Sequence, residues 1–129
     1  MISPMMLEEM AQLAWAVRGR AHLMGRTAVG AVVASDDGRL WAGCNVEHQF
    51  RSHDIHAETN AIGTMIAGGS KSIRAILVVA DREQFTPCGS CMDWIFEFAN
   101  SQCEVLFQSK LQGDIARYLL HELMPFYPK

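Results

Sequence analysis

The sequence has little of what a protein needs to work on long polyanions or in membranes. Its 11 lysines and arginines are outnumbered by 14 aspartates and glutamates, a formal charge of -3. That balance leaves no basic footprint for phosphate backbones and favours a small-molecule partner. No apolar run approaches the roughly 20 residues that a spanning helix requires. Residues 1–10 carry two glutamates and a proline where a secretory or transit peptide would place basic residues and an apolar stretch. Internal repeats, linkers and low-complexity segments are lacking too. At 129 residues the chain is too short for two cores, so one domain over 1–129 is expected. Of the four cysteines, two fall in a candidate metal motif, which leaves only Cys44 and Cys103 and argues against a disulfide framework. A Cys44–Cys103 bridge is disfavoured, and the reading is a reducing, cytoplasmic setting.

What is present is apolar periodicity. Met6, Leu7, Met10, Leu13, Ala14 and Val17 recur every three or four residues, which predicts an amphipathic helix from Pro4 to about Gly19. Ala28 to Ala34 reads as a buried strand, Ser35-Asp36-Asp37-Gly38 as a turn, and Arg39 to Cys44 as the returning arm of a hairpin. Asn45 to Ile55 has no period and is read as a functional loop. A helix follows from His56 to about Ala67, stopped by Gly68-Gly69. The nearly unbroken apolar run Ile73 to Ala80 predicts a central strand buried on both faces. Asp81 to Pro87 is a second loop, and Cys88 to about Asn100 a third helix with Trp94, Ile95 and Phe98 facing inward. Cys103 to Phe107 is a strand, and Asp114 caps a last helix through about Glu122. Strands alternating with helices predict a mixed, partly parallel sheet covered by helices.

Two segments carry chemistry: His56-Ala57-Glu58, and Pro87-Cys88-Gly89-Ser90-Cys91. One histidine and two cysteines make three zinc ligands. Structural zinc is closed by four protein ligands, whereas catalytic zinc keeps a position for water, whose pKa falls to about 7. Glu58 is then free to carry protons. Cys88 and Cys91, at i and i+3, share one side of a first helical turn, and a helix N-terminus favours their thiolates. His56 and Glu58 are two apart and do not share a face of a regular helix. His56 is therefore expected at the helix start, freed from helical dihedrals. Taken alone, a C-x-x-C pair is as readily a redox or structural motif. The H-x-E upstream and the proline before Cys88 weigh against that. His22, His48, His53 and His121 lack partner spacing and are read as surface or loop residues, His53 being the nearest to an exception.

An H-x-E followed by P-C-x-x-C is the mark of zinc deaminases of nucleobases, with the glutamate as general acid and base. The chain resembles the cytidine deaminase superfamily, most of all its small homotetrameric members. Gly43-Cys44-Asn45-Val46-Glu47 is similar to their G-C-N-[IV]-E segment, Val29-Gly30-Ala31 to a V-G-A strand, and Glu122-Leu123-Met124-Pro125 to an E-L-L-P tail. Asp36-Gly38-Arg39 and the arrangement from Asn45 to His48 also resemble blasticidin S deaminases. The resemblance implies a three-layer α/β/α fold with a mixed five-stranded sheet opened by a β-hairpin. It implies Zn2+ on His56, Cys88 and Cys91, with Glu58 as the catalytic group. It also implies Asn45 and Glu47 on the sugar hydroxyls, the backbone N–H of Ala57, and that of Cys88, as candidates to orient the base, and a C-terminal ring, Phe126 or Tyr127, reaching a neighbouring subunit's site. The departures surround the substrate. Thr27 stands where the family stacks a phenylalanine, His48-Gln49-Phe50-Arg51 replaces N-A-S-Y, and Met92-Asp93 replaces an arginine-glutamine pair. His56 stands where a cysteine is frequent, and Thr59 where an arginine accompanies that cysteine. One thiolate fewer leaves one charge fewer to offset, so these two departures agree.

The expected function is zinc-dependent hydrolytic deamination of a cytosine nucleoside, cytidine or deoxycytidine, to the uracil nucleoside and ammonia, within cytoplasmic pyrimidine salvage. The expected partners are a small nucleoside and further copies of the chain, as a homotetramer or a dimer, with no nucleic-acid polymer and no membrane. The rivals are a deaminase of a modified cytosine nucleoside such as blasticidin S, and a non-catalytic zinc protein of the same fold, which would have no need of Glu58. A free base is disfavoured because Glu47 would lack a partner, and polynucleotide editing because no basic channel is evident.

Overall fold

Apolar at every position except Arg74, Ile73–Ala80 forms β3, the middle strand of a five-stranded sheet in this computed structural model, which describes residues 1–83 and 85–128. The other strands are β1 (Val29–Ser35), β2 (Leu40–Cys44), β4 (Ala99–Gln108) and β5 (Ile115–Leu119). Their order is β2-β1-β3-β4-β5, with β3–β4 parallel and every other neighbouring pair antiparallel. The helices are α1 (Pro4–Arg18), α2 (Ala57–Ala67), α3 (Gly89–Phe98) and the single turn α4 (Leu120–Leu123). None of the helices among the described residues is long and apolar enough to cross a membrane.

Alternation along the strands sorts the core into two layers. Val32, Ala34, Ala75, Leu77, Val79 and Leu106 face α1, where Met10, Ala11 and Ala14 meet them. Ala31, Val33, Ile76, Val78, Val105 and Phe107 face the opposite way, onto Ala61, Ile62 and Met65 of α2 and Ile95 and Phe96 of α3. The result is the expected α/β/α sandwich. Each fully buried Ile, Leu or Val contributes about 1.5–3 kcal/mol, so the two layers around β3 hold the sheet that carries the loops. Two glycines let the helices come close. A Cβ on Gly30 would strike the Ala14 carbonyl of α1, and one on Gly43 would strike the backbone of Ala57 and Ala61 in α2.

Three expectations are corrected. The last helix read from Asp114 to Glu122 is absent. Residues 115–119 are the edge strand β5, paired with β4 from Gln108↔Ile115 to Glu104↔Leu119, and only 120–123 are helical. The alternative to helix is an exposed ladder edge on β4, and Arg117 adds a paired hydrogen bond to the Glu104 carboxylate on that strand (Nε–Oε2 3.0 Å, Nη2–Oε1 3.1 Å). The strand expected from Cys103 begins at Ala99, because α3 stops at Phe98 and the chain turns directly into β4. Trp94 does not face inward. It is 48 % exposed and stacks on Phe98 at 6.3 Å, while Met92, Ile95 and Phe96 fill the buried side of α3.

Candidate functional site

Val29 pairs with Ala80 and Gly30 with Cys44, so the start of β1 and the ends of β2 and β3 lie at one end of the sheet. From that end depart the segment before β1, the loop 45–56 and the loop 81–88. The loop 45–56 is laced to the body. Val46 and Ile55 exchange backbone hydrogen bonds at 2.8 and 2.9 Å, and His22 bridges the Asn45 carbonyl (3.1 Å) and the Glu47 N–H (2.8 Å).

His56 is the N-cap of α2, with extended dihedrals (φ -79, ψ 154). That frees its ring from the helix and resolves the spacing problem, since Glu58 lies in the first turn and His56 outside it. Cys88 is likewise the N-cap of α3 (φ -66, ψ 168), and its sulfur accepts the Cys91 N–H at 3.4 Å. The His56 Nδ1 lies 3.2 Å from the Cys91 Sγ and 3.4 Å from the Cys88 Sγ. The three ligand atoms all lie within 4.8 Å of one another. Tetrahedral zinc with Zn–S near 2.3 Å and Zn–N near 2.0–2.1 Å sets ligand atoms about 3.5–3.8 Å apart. The two nitrogen–sulfur distances fall within a few tenths of an ångström of that geometry, and one imidazole with two thiolates is a donor set suited to zinc.

Glu58 is 6 % exposed. Burial drives its carboxyl above the usual range, opposed by its own backbone N–H, by His56 and by a hydrogen bond to Cys91. Burial likewise pushes the Cys91 thiol up, with the Glu58 charge adding to it. Glu58 is thus turned toward the cysteine sulfur, while the ligand cluster is complete without it. A bound dication reverses the preference for thiol, because it stabilises thiolate outright. Cys44 and Cys103 stay outside this cluster as free thiols; burial first, then Glu104 and Asp36, hold Cys103 at about 12.

A cleft of about 230 Å³ opens on the His56 side of the cluster, lined by Thr27, Asn45, Glu47, His56, Ala57 and Glu58 among others. The two sugar candidates already have partners. The Asn45 Oδ1 accepts the Val29 N–H (2.8 Å) and its Nδ2 donates to the Thr27 carbonyl (2.8 Å). The amide retains one N–H and one lone pair for a ligand. Glu47 Oε1 accepts the N–H groups of Met24 and Gly25, each at 2.7 Å, and Oε2 pairs with Arg51 at 3.1 Å. The Gly25 and Met24 amides lower its pKa, so it is an anion at neutral pH. Ala57 is buried at the cleft floor. Phe126 is elsewhere, 96 % exposed. Tyr127 is committed within the chain, stacked on Phe96 at 3.9 Å and 7°. Phe50 clusters with His48 and His53 at the surface. Sequence reasoning missed Arg51, Asp54, Arg82, Phe85 and Thr86, all of which line the cleft. They have no spacing signature; only their closeness to the two motifs pointed at them.

Three side chains able to hold a metal ion, beside a buried carboxylate at the helix-cap end of an α/β/α sheet, suit a hydrolytic zinc enzyme. The comparisons make the class specific. Residues 5–107 match the family model for the cytidine and deoxycytidylate deaminase zinc-binding region, and the chain belongs to that family. It is 37 % identical over 98 residues to a cytidine deaminase of Sporosarcina psychrophila, covering 75 % of this chain and 71 % of that one. A cytidine deaminase structure from Burkholderia pseudomallei superposes with a TM-score of 0.83 at 27 % identity, over 97 % of this chain and 98 % of the other. A blasticidin-S deaminase of Bacillus cereus is 27 % identical over 106 residues, covering 75 % of this chain and 74 % of its own.

Proposed function

We propose that the chain is a zinc-dependent cytidine or deoxycytidine deaminase, adding water to the base and releasing the uracil nucleoside and ammonia. The observation that carries this is Glu58, buried beside the His56, Cys88 and Cys91 cluster but not needed by it, at the floor of a cleft on the scale of one nucleoside. Zinc held by His56, Cys88 and Cys91 supplies Lewis acidity and a water acidic enough to react at neutral pH. Glu58 takes the proton of the attacking water, gives it to the ring nitrogen beside the reacting carbon, and then protonates the departing amine. The Ala57 N–H orients the base. The spare N–H and lone pair of Asn45, and the Glu47 carboxylate held in place by Met24, Gly25 and Arg51, meet the sugar hydroxyls. A sugar bound there places its base over Glu58.

The rest of the reading is a small homotetramer of one-domain chains in cytoplasmic pyrimidine salvage, with the exposed Phe126 ring reaching a neighbouring subunit's cleft. The blasticidin-S deaminase relative supports a second reading, a bulkier cytosine nucleoside. A substrate panel of cytidine, deoxycytidine, cytosine and blasticidin S, followed by ultraviolet absorbance, tests both. Turnover of cytidine or deoxycytidine well above the other two is expected. Turnover confined to blasticidin S selects the second reading, and no turnover of any refutes both.

A further inference from the structure

Thr27 brings no ring to the cleft, and Tyr127 is spent on Phe96. Yet one aromatic side chain does line the cleft. Phe85 stands three residues before Cys88, is half-buried, and lines the same space as His56 and Glu58. Its ring meets the buried Phe107 of β4 nearly edge-on, at 5.6 Å and 64°, so it is packed against the core rather than loose on its loop. Phe85 lines a second space as well, a hollow of about 1000 Å³ bordered by Phe107, Ile115 and Tyr118 at the β4–β5 side of the sheet. The two spaces have three lining residues in common, Arg82, Phe85 and Thr86. Arg82 and Thr86 are exposed and polar; the only bulky apolar body among them is the Phe85 ring.

We propose that Phe85 is a specificity-determining residue, its ring forming the wall that shuts the catalytic cleft off from the neighbouring hollow and so limits the substrate to pyrimidines that are small around the reacting carbon. The inference rests on the deaminase reading above. The reacting carbon must lie at the metal cluster, and Cys88 of that cluster is tied to Phe85 by only two intervening residues, the second of them the buried Pro87. Groups attached next to that carbon, on the exocyclic nitrogen or on C5, are therefore the ones that meet the ring. An apolar wall discriminates through bulk, and even a single methylene in a pocket is worth about 10- to 200-fold in selectivity. Removing the ring joins a 230 Å³ cleft to a 1000 Å³ hollow, which relieves the exclusion of bulky groups and takes away an apolar surface for the base.

The test compares kcat/KM for cytidine, 5-iodocytidine and N4-benzylcytidine, the last hydrolysed to uridine and benzylamine, in the wild-type protein and in Phe85→Ala, Phe85→Leu and Phe85→Tyr. Zinc content is measured alongside. Phe85→Ala should keep its metal, show a higher KM for cytidine, and raise the ratio of at least one bulky substrate to cytidine about tenfold or more. Phe85→Tyr should retain the wild-type ratios. If Phe85→Ala does not fold, Phe85→Leu decides by the same ratio, with a rise of about threefold expected for the smaller loss of bulk. Ratios unchanged within about twofold in a metal-loaded variant overturn the role of Phe85 while leaving the deaminase reading intact, and so does a Phe85→Tyr protein as permissive as Phe85→Ala. A wild-type protein that hydrolyses none of the three overturns this inference, and one that also leaves deoxycytidine and blasticidin S unchanged refutes the deaminase reading with it.

Discussion

Replacing Glu58 by glutamine exchanges a carboxylate for an amide of the same shape at a position that is 6 % exposed. The three ligand atoms come from His56, Cys88 and Cys91, so zinc content should stay at one per chain. Neither of the other two carboxylates lining the cleft is placed to stand in for it. Glu47 is held by the Met24 and Gly25 amides, and Asp54 by the His48 N–H (2.8 Å) and the Arg51 guanidinium (2.8 Å). A positioned acid/base contributes about 10²- to 10⁴-fold, which at 1.36 kcal/mol per decade is roughly 3 to 5 kcal/mol of barrier. Turnover of cytidine, followed by absorbance under saturating substrate, should fall by that factor. The thermal midpoint should not drop, because a neutral amide avoids the desolvation that raises the Glu58 pKa. A variant whose kcat stays within about tenfold of wild type would refute the acid/base role, since that is below what such a group supplies. Loss of zinc in a folded Glu58→Gln protein would refute the reasoning differently, by making Glu58 a ligand.

Cys91→Ala should bind no zinc in elemental analysis of the purified protein; full metal content would sink the ligand assignment. At the far end of the sheet, burial pushes the Glu104 carboxyl up, but hydrogen bonds from Arg117 and the Ile2 N–H outweigh it and hold it below its ordinary value of 4.5. A lowered carboxyl stabilises fully above that value and loses its contribution as pH falls through the folded one. The thermal midpoint of Glu104→Gln, lower at neutral pH, should depend less on pH from 5 down to 3 than that of wild type, and identical slopes would exclude this network as an acid-sensitive clamp. Tyr127→Ala should cost about 0.5–1.5 kcal/mol beyond lost burial by removing the stack on Phe96, read by urea unfolding. Phe126→Ala should leave that stability unchanged and raise KM, while unchanged kinetics would mean that no neighbouring subunit uses this ring.

How far the sequence reveals the molecule depends on whether the deciding interactions are local. Ile73–Ala80 was legible to the residue because a strand covered on both faces must be apolar throughout. His56, Cys88 and Cys91 could be named together because H-x-E and P-C-x-x-C are local patterns that chance seldom produces, and the structure brings the three side chains into one cluster. Ile115-Ala116-Arg117-Tyr118-Leu119 reads as helix on its own, with Ala, Arg and Leu as good helix formers and Ile115 and Leu119 four apart. Its strand state is imposed by β4, which offers a free ladder, and by the Arg117–Glu104 pair across it. Trp94 misled because a large ring is read as core, whereas the buried side of α3 was filled by Met92, Ile95 and Phe96. Asn45 and Glu47 could be named as sugar candidates, but their ties to Thr27, Val29, Met24 and Gly25 could not, since those partners come from the start of β1 and the segment before it.

The placement of His56 at the start of α2 and of Cys88 at the start of α3 has a mechanical consequence. The two ligands are 32 positions apart, and the chain between them runs through α2 and the whole of β3, the centre of the sheet. An ion gripping both is a cross-link around that centre. Closing a loop of this length removes unfolded-chain entropy worth about 4 kcal/mol in the simplest treatment, enough to move the melting temperature by on the order of 10 °C in a chain of this size. A strong chelator should therefore soften the wild-type protein as well as silence it, while leaving the melting temperature of Cys91→Ala where it was; equal shifts in both would mean that the metal ties nothing together.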